Sequence, residues 1–219
     1  MRETGIKYCV VAMLLAFALV SGGCMSIPNS PTPRFYALRP IDKGEAGTKF
    51  NIAPDIIIGV GPVRIPEYMN RPQIVTQDKN RMLKFSEFDR WGEPLDLALT
   101  RLVGTNLTAI ITGGNIEIYP WNLSIPVKYQ VVADIVQLES ELDKDLFIAI
   151  QWSIFDVQNT KMLFTKRLEL SRPINPHNYA GMVQALSDAC VSLSSEIARE
   201  VAILAAQPKP KTEAAAPQG

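Results

Sequence analysis

The residue with the plainest chemistry in this chain is Cys24. Arg2 and Lys7 supply a short positive segment, Tyr8 to Val20 is apolar and uncharged, and the small residues Ser21-Gly22-Gly23 lead into the cysteine. An apolar run this short fits a signal h-region, because crossing a bilayer core takes about 20 residues. Signal peptidase II requires small side chains before a cysteine whose thiol has received a diacylglycerol, and this segment offers them. Ser21 stands where an aliphatic residue is usual. An ordinary secretory signal cut nearby, leaving Cys24 a free thiol, is the competing reading. The Pro-rich stretch that starts immediately after Cys24 favours acylation. Acyl chains contribute about 0.8 kcal/mol per buried methylene, so such an N-terminus is an anchor and not a transient contact. Met25 follows the cysteine where Asp would mark inner-membrane retention, and this points to the outer membrane.

The rest of the chain offers little reactive chemistry. Cleavage before Cys24 would leave 196 of the 219 residues, with 20 basic and 21 acidic side chains, a balance that gives no basic footprint for nucleic acid. Cys9 leaves with the signal and Cys24 is consumed by lipid, so Cys190 stands alone and excludes both a disulfide and a cysteine-pair metal site. His177 is the single histidine, in a Pro-Asn loop where a surface or capping role is expected. No serine sits in a G-x-S-x-G elbow, and Gly59-Val60-Gly61 lacks the third glycine and the helix of a dinucleotide site. Asp143 and Asp145 flank Lys144 as solvated turn charge. The expectation is a non-enzyme with no cofactor and no metal.

Periodicity supplies the elements that must position anything else. Residues 1–23 form the signal, 24–34 a lipidated Pro-rich tether, 35–206 one domain, and 207–219 (QPKPKTEAAAPQG) a disordered tail. Phe35 to Leu38 is a short strand. Asp55 to Ile65 is β-branched and nearly all apolar, hence a central strand, with Gly59 and Gly61 marking a bulge or a close backbone approach. Gln73–Thr76 and Arg81–Phe85 flank Asp78-Lys79-Asn80 as a hairpin. From Pro94 to Ile111, Leu95, Leu99, Leu102, Val103 and Ile110 fall on one helical stripe that Gly113-Gly114 ends. Ile116–Tyr119 and Tyr129–Leu138 are strands. Leu146, Ile148, Ile150, Trp152 and Ile154 alternate onto one face, as do Met162, Phe164, Leu168 and Leu170 after a turn at Gln158-Asn159-Thr160. Tyr179 to Leu204 traces an amphipathic helix of about seven turns, with Cys190 a buried, inert thiol on its apolar stripe. These elements predict an α+β fold, a largely antiparallel sheet with two helices packed on one face.

Three segments carry a specific likeness: Ile58–Thr76 (IGVGPVRIPEYMNRPQIVT), Phe88–Leu95 (FDRWGEPL) and Tyr119-Pro120-Trp121. With the cysteine-ending signal, the opening strand and the last helix, the chain resembles the ABC-type transport auxiliary lipoproteins, the family of paraquat-inducible protein C. The likeness runs from Cys24 to about Ala205. It implies a non-enzymatic part in moving lipid between inner and outer membranes, beside an MCE-domain protein and an ABC-type permease. It further implies a lipid-anchored place on the periplasmic face of the outer membrane, docking of the MCE-protein conduit, support of membrane integrity, and a homo-oligomeric ring around that conduit. The alternatives are a lipoprotein that itself carries lipid in an internal cavity, and an envelope enzyme or peptidoglycan anchor.

Two readings stay open at the motifs. The loop Pro66–Pro72 is stiffened by its prolines and presents Tyr68, Met69 and Arg71, residue types that dominate interfaces. Against that, Tyr68 packs on its own domain and Arg71 pairs with a local carboxylate such as Glu93. In the second motif Asp89 or Glu93 caps the helix start and Arg90 lies against Trp91, a structural role. Trp121 is read as a core plug or a surface contact.

Overall fold

The computed structural model describes residues 31–42, 44 and 46–207. The signal, Cys24, the tether up to Ser30 and the tail from Pro208 lie outside the described residues. From Pro33 onward the chain forms one unit. Its elements in order are β1 (Arg34–Tyr36), β2 (Phe50–Asn51), β3 (Ile57–Arg64), a 3-10 turn at Glu67–Met69, β4 (Gln73–Gln77), β5 (Leu83–Trp91), α1 (Leu95–Ile110), β6 (Ile111–Thr112), β7 (Asn115–Ile118), β8 (Tyr129–Ser140), β9 (Asp145–Asp156), β10 (Lys161–Pro173) and α2 (Tyr179–Ala206).

The main sheet has five strands in the order β10-β9-β8-β3-β7. β8, β9 and β10 form the antiparallel meander that their short turns dictate. β3 lies between β8 and β7, parallel to both, because helix α1 returns the chain to the same end of the sheet. A second sheet, β1-β5-β4, joins the β4–β5 hairpin to a parallel β1, and β2 pairs with β6. The fold is α+β, as the periodicities predict.

Packing follows the stripes. Leu146, Ile148, Ile150, Trp152 and Ile154 of β9 have no exposed surface, and they meet Leu95, Leu99 and Leu107 of α1 and Met182, Leu186, Leu193 and Ile197 of α2 in one core. β8 buries Tyr129, Val131, Ala133 and Ile135, then inserts Val136 as a bulge. That extra residue changes the parity of the strand and returns Leu138 to the core side. A bulge in β10 does the opposite. The register shifts between Met162 and Phe164, so Met162 pairs with Phe155 and is 53% exposed, while Phe164, Leu168 and Leu170 stay half-buried on the core. Met162 therefore does not share the face that simple alternation assigns it.

The helix ends also differ from expectation. Pro94 holds the cap position of α1 with no side-chain acceptor, so neither Asp89 nor Glu93 caps it. Both carboxylates are engaged elsewhere. α1 stops at Ile110, and Ile111–Thr112 turns into β6 before the two glycines are reached. At α2 the cap is Asn178, whose Oδ1 accepts from the Gly181 N–H at 3.0 Å, next to an exposed His177. Cys190 is fully buried in α2, and burial pushes its thiol up to about 12, so it stays protonated and inert.

Candidate functional site

The first two motifs converge. The Trp91 N–H donates to the Pro72 carbonyl at 2.7 Å and the Gly92 N–H to the Tyr36 carbonyl at 2.8 Å. These bonds set Asn70, Arg71 and Pro72 against Trp91, Gly92, Glu93 and Pro94 around a groove of about 280 Å³. Two residues before Trp91 on β5, Asp89 is 3% exposed. Its Oδ1 accepts from Arg34 Nε at 2.8 Å and from the Tyr36 hydroxyl at 2.9 Å, and its Oδ2 from Arg34 Nη2 at 3.0 Å and Ser86 Oγ at 2.9 Å. Burial works against ionisation there, but the donors outweigh it and hold the carboxyl below its ordinary value. Asp89 is thus a clasp that ties β1, where the tether ends, to β5. Sequence reasoning named Asp89 but missed Arg34, Tyr36 and Ser86. The available signal was an Asp two residues before Trp91 and directly after Phe88, where an unpaired carboxylate turned inward with the Trp would be costly.

The Pro66–Pro72 loop is largely spent on the fold. Met69 is 3% exposed, and Tyr68 is half-buried against the core, where burial and then the Glu139 carboxylate push its hydroxyl up. Arg71 does not pair with Glu93. Its guanidinium carbon lies 4.4 Å from the Phe85 ring centroid, and Glu93 is taken by Arg101 of α1. Arg90 is half-buried, with no ring contact to Trp91 and with Nε lacking an acceptor among the described residues. Trp91 itself is 5% exposed. Of the loop's three candidate contacts, Arg71 alone is exposed, on a face it shares with Phe85.

The third motif belongs to another end of the molecule. Trp121 is half-buried and lies over Gly59, where an added Cβ would come within 2.7 Å of the indole. That close approach explains the glycine, and the neighbouring Gly61 has a φ of 110° that side chains rarely adopt. Tyr119 meets Trp121 edge-on, with ring centroids 5.7 Å apart, and Asn122 Oδ1 accepts from the Ser124 N–H at 2.9 Å. The loop so braced presents Tyr119 at 45% and Leu123 at 95% exposure.

From Tyr129 to Ser140, β8 separates the two ends by roughly 36 Å, eleven steps of about 3.3 Å. At its start, Lys128 bonds Ile57 and Val157, and the Tyr129 hydroxyl donates to the Leu204 carbonyl. At its finish, Glu139 pairs with Arg81, and the Ser140 hydroxyl reaches the Val75 carbonyl of β4. Strand β1 therefore lies at the β1-β5-β4 end, and the Leu123 loop lies toward the other.

Residues 36–198 match the family of ABC-type transport auxiliary lipoprotein components. The chain belongs to that family. Its fold is similar to that of an uncharacterized protein of known crystal structure, at a TM-score of 0.62 and 17% identity over 78% of this chain and 99% of the other. It is also similar to protein XCC0632 of Xanthomonas campestris, of the DUF330 family, at a TM-score of 0.54 and 14% identity over 78% and 95%. Among curated proteins none matches. The auxiliary lipoprotein fold carries no group of three or more His, Cys, Asp and Glu placed to hold a metal ion, and no helix long and apolar enough to cross a membrane, among the described residues. Its motif residues are structural clasps and presented surfaces, one group on the β1-β5-β4 sheet and the other beside β3 of the main sheet.

Proposed function

We propose that this auxiliary lipoprotein is anchored through Cys24 to the periplasmic face of the outer membrane. There it docks the MCE-domain protein of an ABC-type lipid transport system, as one subunit of a homo-oligomeric ring, and so supports membrane integrity. The observation that carries the docking reading is Leu123, a fully presented apolar side chain on a loop braced by Trp121 and Asn122. A rigid apolar anchor loses little conformational freedom on binding, which is the property of interface hot spots. The Leu123 loop replaces the Pro66–Pro72 loop as the partner contact, because Tyr68 and Met69 are packed against their own core. Direct packing of both helix stripes on the inner sheet face supports docking over carriage of lipid in an internal cavity.

Two experiments bear on this. Cys24→Ala should abolish palmitate labelling and release the protein from outer-membrane fractions; a variant that stays membrane-bound and labelled would refute the anchor. Tyr119→Ala combined with Leu123→Asp should weaken capture of the MCE-domain protein by roughly thirtyfold or more, the effect of losing a hot spot of about 2 kcal/mol. Leu123 is fully presented and Tyr119 gives up one edge contact with Trp121, so circular dichroism melting should shift by only a few degrees. Leu123→Asp alone, which leaves that contact in place, should still lower capture. Wild-type capture by the folded double variant would show that docking uses another surface.

A further inference from the structure

The β1-β5-β4 sheet is amphipathic across its two faces. Its inner face sends Ile74, Thr76, Tyr36 and Trp91 toward the core. The outer face can be read from the register. Gln73, Val75 and Gln77 alternate along β4 and pair with Arg90, Phe85 and Leu83, and Arg90 pairs in turn with Phe35 of β1. Phe35, Leu83 and Phe85 therefore share one face with Arg90, and Arg71 lies over the Phe85 ring. Exposure is 67% at Phe35, 38% at Leu83 and 47% at Phe85, and Met82 at the hairpin turn adds 60%. Large apolar side chains this exposed, gathered on one small sheet, mark a contact surface.

The geometry points to a lipid surface as the occupant: we infer that this face lies on the phospholipid headgroup layer, as a second membrane contact beside the acyl chains. The inference rests on the anchor at Cys24 proposed above. Arg34 follows Cys24 by ten residue steps, a reach of at most about 36 Å, and it directly precedes Phe35, the most exposed aromatic of the face. The residue types fit that layer, where aromatic rings sit at headgroup level and Arg and Lys stems lie along apolar surface with their charge toward phosphate. The charge fits as well. In a chain of zero net charge, the face carries Arg71 over the Phe85 ring and Arg90 in register with Phe35, whereas Lys84 pairs with Thr76 of the inner face and Asp89 is buried. At the hairpin turn, Arg81 and Lys79 are partly offset by Glu139 and Asp143. A protein held by this face would instead leave its own lipid tether to bridge the partner's thickness.

The test uses the acylated full chain in vesicles of phosphatidylethanolamine and phosphatidylglycerol whose acyl chains are brominated. Phe35→Trp and Phe85→Trp are compared with Val157→Trp, at the far end of β8, above the emission of the native tryptophans. Indoles at 35 and 85 should be quenched at least about twofold more than the indole at 157, as expected of rings at the interface. Adding Phe85→Asp to Phe35→Trp should bring the quenching at 35 down to the level at 157 while the protein still floats with the vesicles. Equal quenching at 35, 85 and 157, in protein that floats and whose acylation mass spectrometry verifies, overturns the membrane seat and leaves the anchor standing. A chain that carries no acyl group and does not float overturns the anchor and the seat together. Loss of MCE-protein capture by Phe35→Asp with Phe85→Asp, with no difference in quenching, would assign the face to a protein and overturn the proposal.

Discussion

Leu186→Ala and Leu193→Ala should each destabilise the domain by about 2–5 kcal/mol, the cost of lost burial together with the cavity left behind. Both side chains lie on the inward stripe of α2 with at most 1% of their surface exposed, in the same core as Trp152 and Ile150 of the sheet. Among the described residues the long-range polar bonds of α2 are few, such as Arg172 to Ser192, Lys166 to Glu196 and Tyr129 to the Leu204 carbonyl, so apolar packing carries most of its attachment. Urea melts followed by far-ultraviolet circular dichroism would measure the loss. Midpoints unchanged in both variants would mean that α2 does not belong to the core in solution. An isosteric Leu193→Met should recover most of the stability, because volume is conserved.

The second large effect is expected at Asp89. Asp89→Ala removes the acceptor for four hydrogen bonds and leaves the Tyr36 and Ser86 hydroxyls without their partner. Hydrogen bonds to a charged group contribute about 1.5–3 kcal/mol, but Arg34 is 66% exposed and solvent screens its share. The expected loss is therefore about 2–3 kcal/mol, with β1 released from β5. The same clasp has a pH signature. Its carboxyl is held below the ordinary value in the folded state, so its contribution is complete above the unfolded value of about 3.9 and disappears as pH falls through the lower folded value. Wild-type stability should fall across that acid window more steeply than that of Asp89→Asn. Parallel slopes for the two proteins would show that Asp89 is not held as a clasped carboxylate.

The elements were legible where a stripe was long. α2, α1 and β9 announce themselves through repeats of many residues, and a repeat that long has only one face to bury. The short elements were less so, because β1, β2 and β6 have two or three residues each and hold their place by pairing with distant strands. Met162 was misplaced for a related reason. A bulge adds one residue to one strand, and nothing in the local alternation of β10 records what β9 opposes to it.

The candidate site divides along the same line. Sequence alone determined the two long stripes that build the core and the motif phrases that name the family, since these are local patterns read by proximity along the chain. Only the tertiary structure decided what the motif residues do. It turned Met69 inward, gave Arg71 to Phe85 and not to Glu93, clasped Asp89 with Arg34 across 55 residues of chain, and gathered Phe35 and Phe85 onto one face. Those outcomes depend on register between strands far apart in sequence, and register is set by how two bulged sheets and two helices fill one core, a property that no single segment contains.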